Sequence, residues 1–220
     1  MTETTSPALT YPQPQPIWLK VLGRFFSYLF HPLFIPVYLS AYLIFVHPYL
    51  FAVFNEKQKT ISLISIASQT VLFPALTVFL LWRLGFASSI FLRTQKERII
   101  PYVASNIFFF WAFYVSKTRF PGEMTFFFLG IFLASAAALM ANNYFKISMH
   151  ALGVGGAAAF MILLGAVNAQ TGGMPIAITA IVAGIVCTSR LLVSDHHPFE
   201  IYAGLVIGGL CQLVACFFIM

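Results

Sequence analysis

Charge is scarce in this chain. Only 8% of its 220 residues are Asp, Glu, Lys or Arg, and only six are acidic. A soluble domain carries about a quarter, so a water-exposed globular surface is excluded. Cysteine is equally sparse: Cys187, Cys211 and Cys216 are odd in number, lie in apolar segments and form no C-x-x-C. That pattern excludes a disulfide framework and a cysteine-ligated zinc, and leaves them as small residues within membrane segments. The opening MTETTSPALTYPQPQP lacks a basic region ahead of an apolar core and lacks a cleavage site, so it does not read as a secretory leader. With four prolines it reads as a disordered tail. Internal repeats and interdomain linkers are also missing, which leaves one domain.

Apolar residues fill the space. They make up 60% of the chain, 25 of them Phe, in runs longer than the roughly 18 residues that cross a bilayer as a helix. The chain is therefore expected to be all-α, a polytopic transmembrane bundle over residues 25–220, with 1–24 as a disordered or interfacial tail. Spans are predicted near 25–53, 61–84, 99–116, 124–143, 149–168, 174–193 and 199–219. Seven spans is the direct count. Pro32 and Pro36 interrupt the first, so six with an irregular N-terminal segment is the alternative. The net charge of +6 would point to nucleic acid in a soluble protein. Here the basic residues stand between spans, so the expected partners are membrane lipids and phosphate, not nucleic acid.

Parity brings distant polar groups together, because each pair of antiparallel spans returns the chain to the face it left. Arg93, Lys96 and Arg98 precede the third predicted span, Lys146, Ser148 and His150 precede the fifth, and Arg190, His196 and Glu200 flank the start of the last. All three groups share one face. In SDHHPFEIYAG, Pro198 fits a first helical position, so Glu200 falls in the first turn and can reach back to His196. A carboxylate on one ring nitrogen leaves the other free to attack or to accept a proton. The same letters fit a plain helix start with His197 as cap. Two histidines on one face with Arg190 and a basic loop offer a nucleophile, a second acid and anion ligands, which is what phosphoryl transfer needs. His31 and His47, each beside a proline, read as interfacial, and Lys57, Lys59, Lys117 and Arg119 as solvated charges of the opposite face. Taking His150, Asp195, His196, His197 and Glu200 as metal ligands is disfavoured by the cations around them.

These residues carry a resemblance. From Ser189 to Glu200 the chain reads S-R-x5-H-x3-E, KISMHALG sets Ser148 two before His150, and Lys96, Arg98 and Pro101 stand in the basic loop. The chain resembles the type 2 phosphatidic acid phosphatase superfamily, whose motifs are K-x6-R-P, P-S-G-H and S-R-x5-H-x3-D. The third motif matches with Glu for Asp. The second keeps Ser and His, with Met149 in the glycine position, and the first has Ile100 where arginine is expected. The resemblance spans residues 90–210 and implies a metal-independent membrane lipid phosphatase or diphosphatase without cofactor. It implies His196 as nucleophile, Glu200 as its orienting partner and His150 as proton donor. Arg190, Ser148, Arg93, Lys96 and Arg98 would hold the phosphate. The altered second motif keeps open a lipid-phosphate binding or transport protein without turnover. Eight of the 12 Lys and Arg fall on the motif face, but five of those, Arg93, Lys96, Arg98, Lys146 and Arg190, belong to the polar groups that would meet phosphate, so charge does not choose an orientation. Bacterial membrane relatives face their site outward, which leans it toward the periplasmic side of an inner membrane.

Overall fold

The computed structural model describes residues 16–92, 94–193 and 196–220. Arg93, Ser194, Asp195 and the proline-rich opening lie outside the described residues. Within them the chain is helical, with no strand. Helix α1 spans Ile17–Leu29 and α2 spans Ile35–Ala41, followed by one wide turn, Tyr42–Val46. Helices α3 (Glu56–Ala67) and α4 (Phe73–Arg83) join through a similar wide turn, Ser68–Leu72. Pro74, lacking an N–H, stands just after that turn, where widening the helix accommodates the missing bond. Then come α5 (Gln95–Arg119), α6 (Gly122–Ala141), α7 (Met149–Val167), α8 (Gly173–Val193) and α9 (Pro198–Ile219).

Six of these units are long and apolar enough to cross a membrane: the continuous α3–α4 and each of α5 to α9. The seventh expected span, 25–53, does not form. Its chain is broken around Pro32, and the apolar helix that follows covers only Ile35–Val46. At 1.5 Å per residue that stretch is about 18 Å long, against about 30 Å of hydrocarbon. The boundary drawn at residue 24 runs through α1, which packs along α8. Ile17, Trp18, Val21, Phe25 and Tyr28 form its exposed apolar stripe, a pattern suited to a bilayer surface.

Helices α6, α7 and α9 make the centre. Phe126, Phe127 and Phe128 are all buried on α6, and Phe127 meets Phe160 of α7 with ring centroids 4.4 Å apart. Helices α7 and α9 approach through glycine, which lets their backbones come close. A Cβ on Gly208 would overlap the Leu152 carbonyl, and one on Gly204 would lie 2.8 Å from the Ser148 carbonyl oxygen. Gly184 on α8 has open space beside it. The same substitution should therefore act with opposite sign at the two places. Gly184→Ala gains helix propensity of up to about 1 kcal/mol. Gly208→Ala should cost about 1–3 kcal/mol of overpacking, read as the thermal midpoint in detergent; equal midpoints would contradict the close α7–α9 contact.

Two cross-links fix the face on which helix ends gather. Gln95 Nε2 donates to the Asn142 carbonyl at 2.8 Å, and Asn142 Nδ2 donates back to the Gln95 carbonyl at 2.9 Å, joining the start of α5 to the end of α6. The Ser148 N–H donates to the Glu200 carbonyl at 3.2 Å, joining the starts of α7 and α9. The starts of α5, α7 and α9 thus share a face, as span parity predicts.

Candidate functional site

On that face lies a cavity of about 890 Å³, whose walls include Arg24, Ser27, His31, Arg98, Lys146, His150, Arg190 and His196. Four of these carry fixed positive charge. Among the described residues no carboxylate lines it, so its polar end favours an anion. Away from this end the walls are mostly apolar, with Val78 and Phe79 of α4, Ile131 of α6 and Ala157 of α7, interrupted by Ser135 and Gln212.

The start of α9 builds one half of the polar end. Pro198 occupies the first turn, and Glu200 is buried, 9% exposed. A buried carboxylate is tolerated only with partners, and one oxygen has two. Oε2 accepts from the His197 N–H at 3.1 Å and lies 2.7 Å from His196 Nδ1. The helix-start reading and the histidine-orienting reading are therefore both realised, by the same oxygen. A carboxylate accepts only, so Nδ1 carries the proton and Nε2 keeps the lone pair. Burial pushes the His196 imidazole below its ordinary pKa; the Arg190 and Arg98 charges add to this, and Glu200 opposes it. The ring is neutral at pH 7.

The start of α7 builds the other half. His150 Nε2 lies 3.0 Å from the backbone oxygen of Ser27 on α1. That oxygen can only accept, so Nε2 holds a proton and Nδ1 is left to exchange one. Each histidine is thus held through one nitrogen, His196 by a carboxylate and His150 by a carbonyl. Arg190, in the last turn of α8, lines the same cavity, and its charge is felt at both His31 and His196.

Two expected phosphate ligands stand elsewhere. Ser148 is fully buried, caps α7 by accepting from the Ala151 N–H at 3.5 Å, and does not line the cavity. A helix start has orphan N–H groups, and the hydroxyl serves one of them. Lys96 is exposed and off the cavity wall, whereas Arg98 is on it; two residues are about 200° apart around a helix. Arg98 Nε donates to the Leu92 carbonyl at 2.9 Å, and Leu92 holds a positive φ of 47° to present it. Arg93 lies outside the described residues. Conversely, the sequence assigns Arg24 and Ser27 no site role and reads His31 as interfacial, yet all three line the cavity. Their i, i+3, i+7 spacing, one face of a helix continued past its end, is the signal that marks them.

The fold and its buried polar site define a polytopic helical membrane protein. No family model, curated protein or solved structure matches the chain.

Proposed function

We propose that the protein is an integral membrane lipid phosphatase or diphosphatase working through a phosphohistidine, in the manner of the type 2 phosphatidic acid phosphatases. The observation that carries this reading is the 2.7 Å His196–Glu200 pair beside a cavity whose polar end is cationic and whose remainder is mostly apolar. A phosphate headgroup suits the first part and a lipid chain the second. His196 Nε2 attacks phosphorus, and the bond from phosphorus to the lipid oxygen breaks. His150 relays the leaving-group proton: its Nδ1 takes the proton of the phosphate monoanion and passes it to the departing oxygen, while Nε2–H stays on the Ser27 carbonyl. Water, deprotonated by His150, then cleaves the phosphorus–nitrogen bond and releases phosphate. Arg190, Arg98, Lys146 and Arg24 balance charge on the phosphoryl oxygens throughout. Glu200 positions His196 without touching substrate.

The test is phosphate release by purified protein from a panel of phosphatidate, phosphatidylglycerol phosphate, polyprenyl diphosphate and phosphorylated lipid A, in the presence of a chelator, with vanadate as inhibitor. Turnover that needs a divalent ion would overturn the histidine nucleophile. Binding without turnover on every substrate would make the protein a lipid-phosphate carrier instead.

Activity should also fall on acidification, because protonating His196 removes its lone pair. Since the imidazole pKa is depressed, the acid limb of kcat/KM should lie below the ordinary histidine value. Glu200 raises that pKa and Arg190 lowers it. Glu200→Gln should therefore move the limb to lower pH and Arg190→Gln to higher pH. The substrate's own ionisation near pH 6 is common to all three profiles. Shifts in the reverse directions would contradict the assignment of the limb to His196.

A further inference from the structure

Helix α1 and the turn after it contain none of the residues that carry the resemblance, yet they close one side of the polar cavity. Gly23 lets α1 sit directly on α8, where a Cβ would lie 2.5 Å from Val193 Cγ2 and 3.5 Å from the Ser189 carbonyl oxygen. Four residues along α1, the Ser27 carbonyl reaches His150. Four further, His31 lies edge-on to His150, with ring centroids 5.3 Å apart and planes at 84°, and it lines the cavity. The Leu33 N–H donates to His31 Nδ1 at 3.4 Å, which uses the Nδ1 lone pair and places the ring proton on Nε2. Burial and the Arg190 charge hold the ring in its neutral form. His31 is therefore a fixed single donor, unlike His150, which exchanges a proton, and His196, which attacks phosphorus.

We infer that His31 is a substrate-contacting residue of this site, whose Nε2–H donates a hydrogen bond to a phosphoryl oxygen. The inference rests on the phosphatase reading for its substrate, but the group it recognises is phosphate itself. No proton is transferred, because taking a second proton would require His31 to give up the Leu33 N–H. Its contribution should thus be the same for substrates with good and poor leaving groups, and should appear in the affinity for inorganic phosphate.

Two substitutions separate donor from packing. His31→Phe keeps a ring against His150 and removes the donor; His31→Gln loses the ring and keeps an amide N–H at similar reach. In detergent-purified protein, inorganic phosphate affinity by calorimetry should fall about 10- to 100-fold in His31→Phe, the range for a hydrogen bond to a charged group. His31→Gln should recover most of it. KM for an alkyl and an aryl phosphate should rise by similar factors in His31→Phe, with melting temperatures near wild type. Unchanged phosphate affinity in His31→Phe, or a loss as large in His31→Gln, would overturn the donor role. So would a kcat loss confined to the alkyl substrate, which would mark a proton donor. A wild-type protein that binds phosphate without hydrolysing lipid phosphates would sink the phosphatase reading and leave the His31 comparison decisive on its own. One that does not bind phosphate at all would overturn both.

Discussion

His196→Ala should remove turnover by at least about 10³-fold, which corresponds to about 4 kcal/mol of lost transition-state stabilisation. Phosphate affinity should remain close to wild type, because the cations of the cavity wall are untouched. The reason is that His196 supplies a bond, formed only as the reaction proceeds, whereas ground-state binding draws on charge. Glu200→Gln should cost less, about 10- to 100-fold. In the wild-type protein a single oxygen, Oε2, takes both the His197 N–H and the His196 Nδ1 proton. The carbonyl oxygen of glutamine can take both in its place, so the tautomer survives and only the carboxylate's charge is lost. Single-turnover kinetics with acid-quench trapping of a phosphorylated protein would check the pair. Near wild-type turnover in His196→Ala would remove the phosphohistidine, and Glu200 or His197 would have to be reconsidered as metal ligands.

Arg190→Ala should lower kcat/KM by about 10²- to 10³-fold, shared between KM and kcat. Arg190 stands in the last turn of α8, where the orphan carbonyls of the helix end favour a cation. Its charge reaches His31 and His196 and faces the same cavity. Charge at that position meets the phosphoryl group before, during and after transfer, so both constants move. Arg190→Lys should recover only part of the loss, because an ammonium offers a point charge where a guanidinium grips two oxygens. Vanadate inhibition should weaken in parallel with KM. A variant in which Arg190→Ala leaves both constants intact would place the phosphate elsewhere in the cavity.

Much of the architecture was readable because apolar length is a local property. The last six predicted spans coincide with the six long helices to within about five residues at each end. Where the prediction of seven failed, Pro32 and Pro36 were already visible as the interruption; only the length of the remaining helix decided that no span forms. Parity also carried, since it depends on the number of crossings and not on how the helices pack. The His196–Glu200 contact was legible for a similar reason, as both lie within four residues around a proline that starts a helix.

The cavity wall was not legible, because it depends on which way each side chain turns once helices pack. Ser148 and Lys96 have the right chemistry and the right face, yet one is consumed by a helix cap and the other projects from the side of α5 that Arg98 does not share. His31 looked interfacial in isolation, and only the docking of α1 on α8, permitted by Gly23, brought it to His150. The sequence by itself determined an all-helical membrane bundle, the places of its last six spans and the face on which its polar groups collect, through apolar length and the arithmetic of crossings, while counting one span too many at the start. Tertiary structure alone decided which of those groups surround one cavity, because that choice follows from close contacts between helices far apart in the chain, where a missing Cβ or a capped N–H changes what lies within reach.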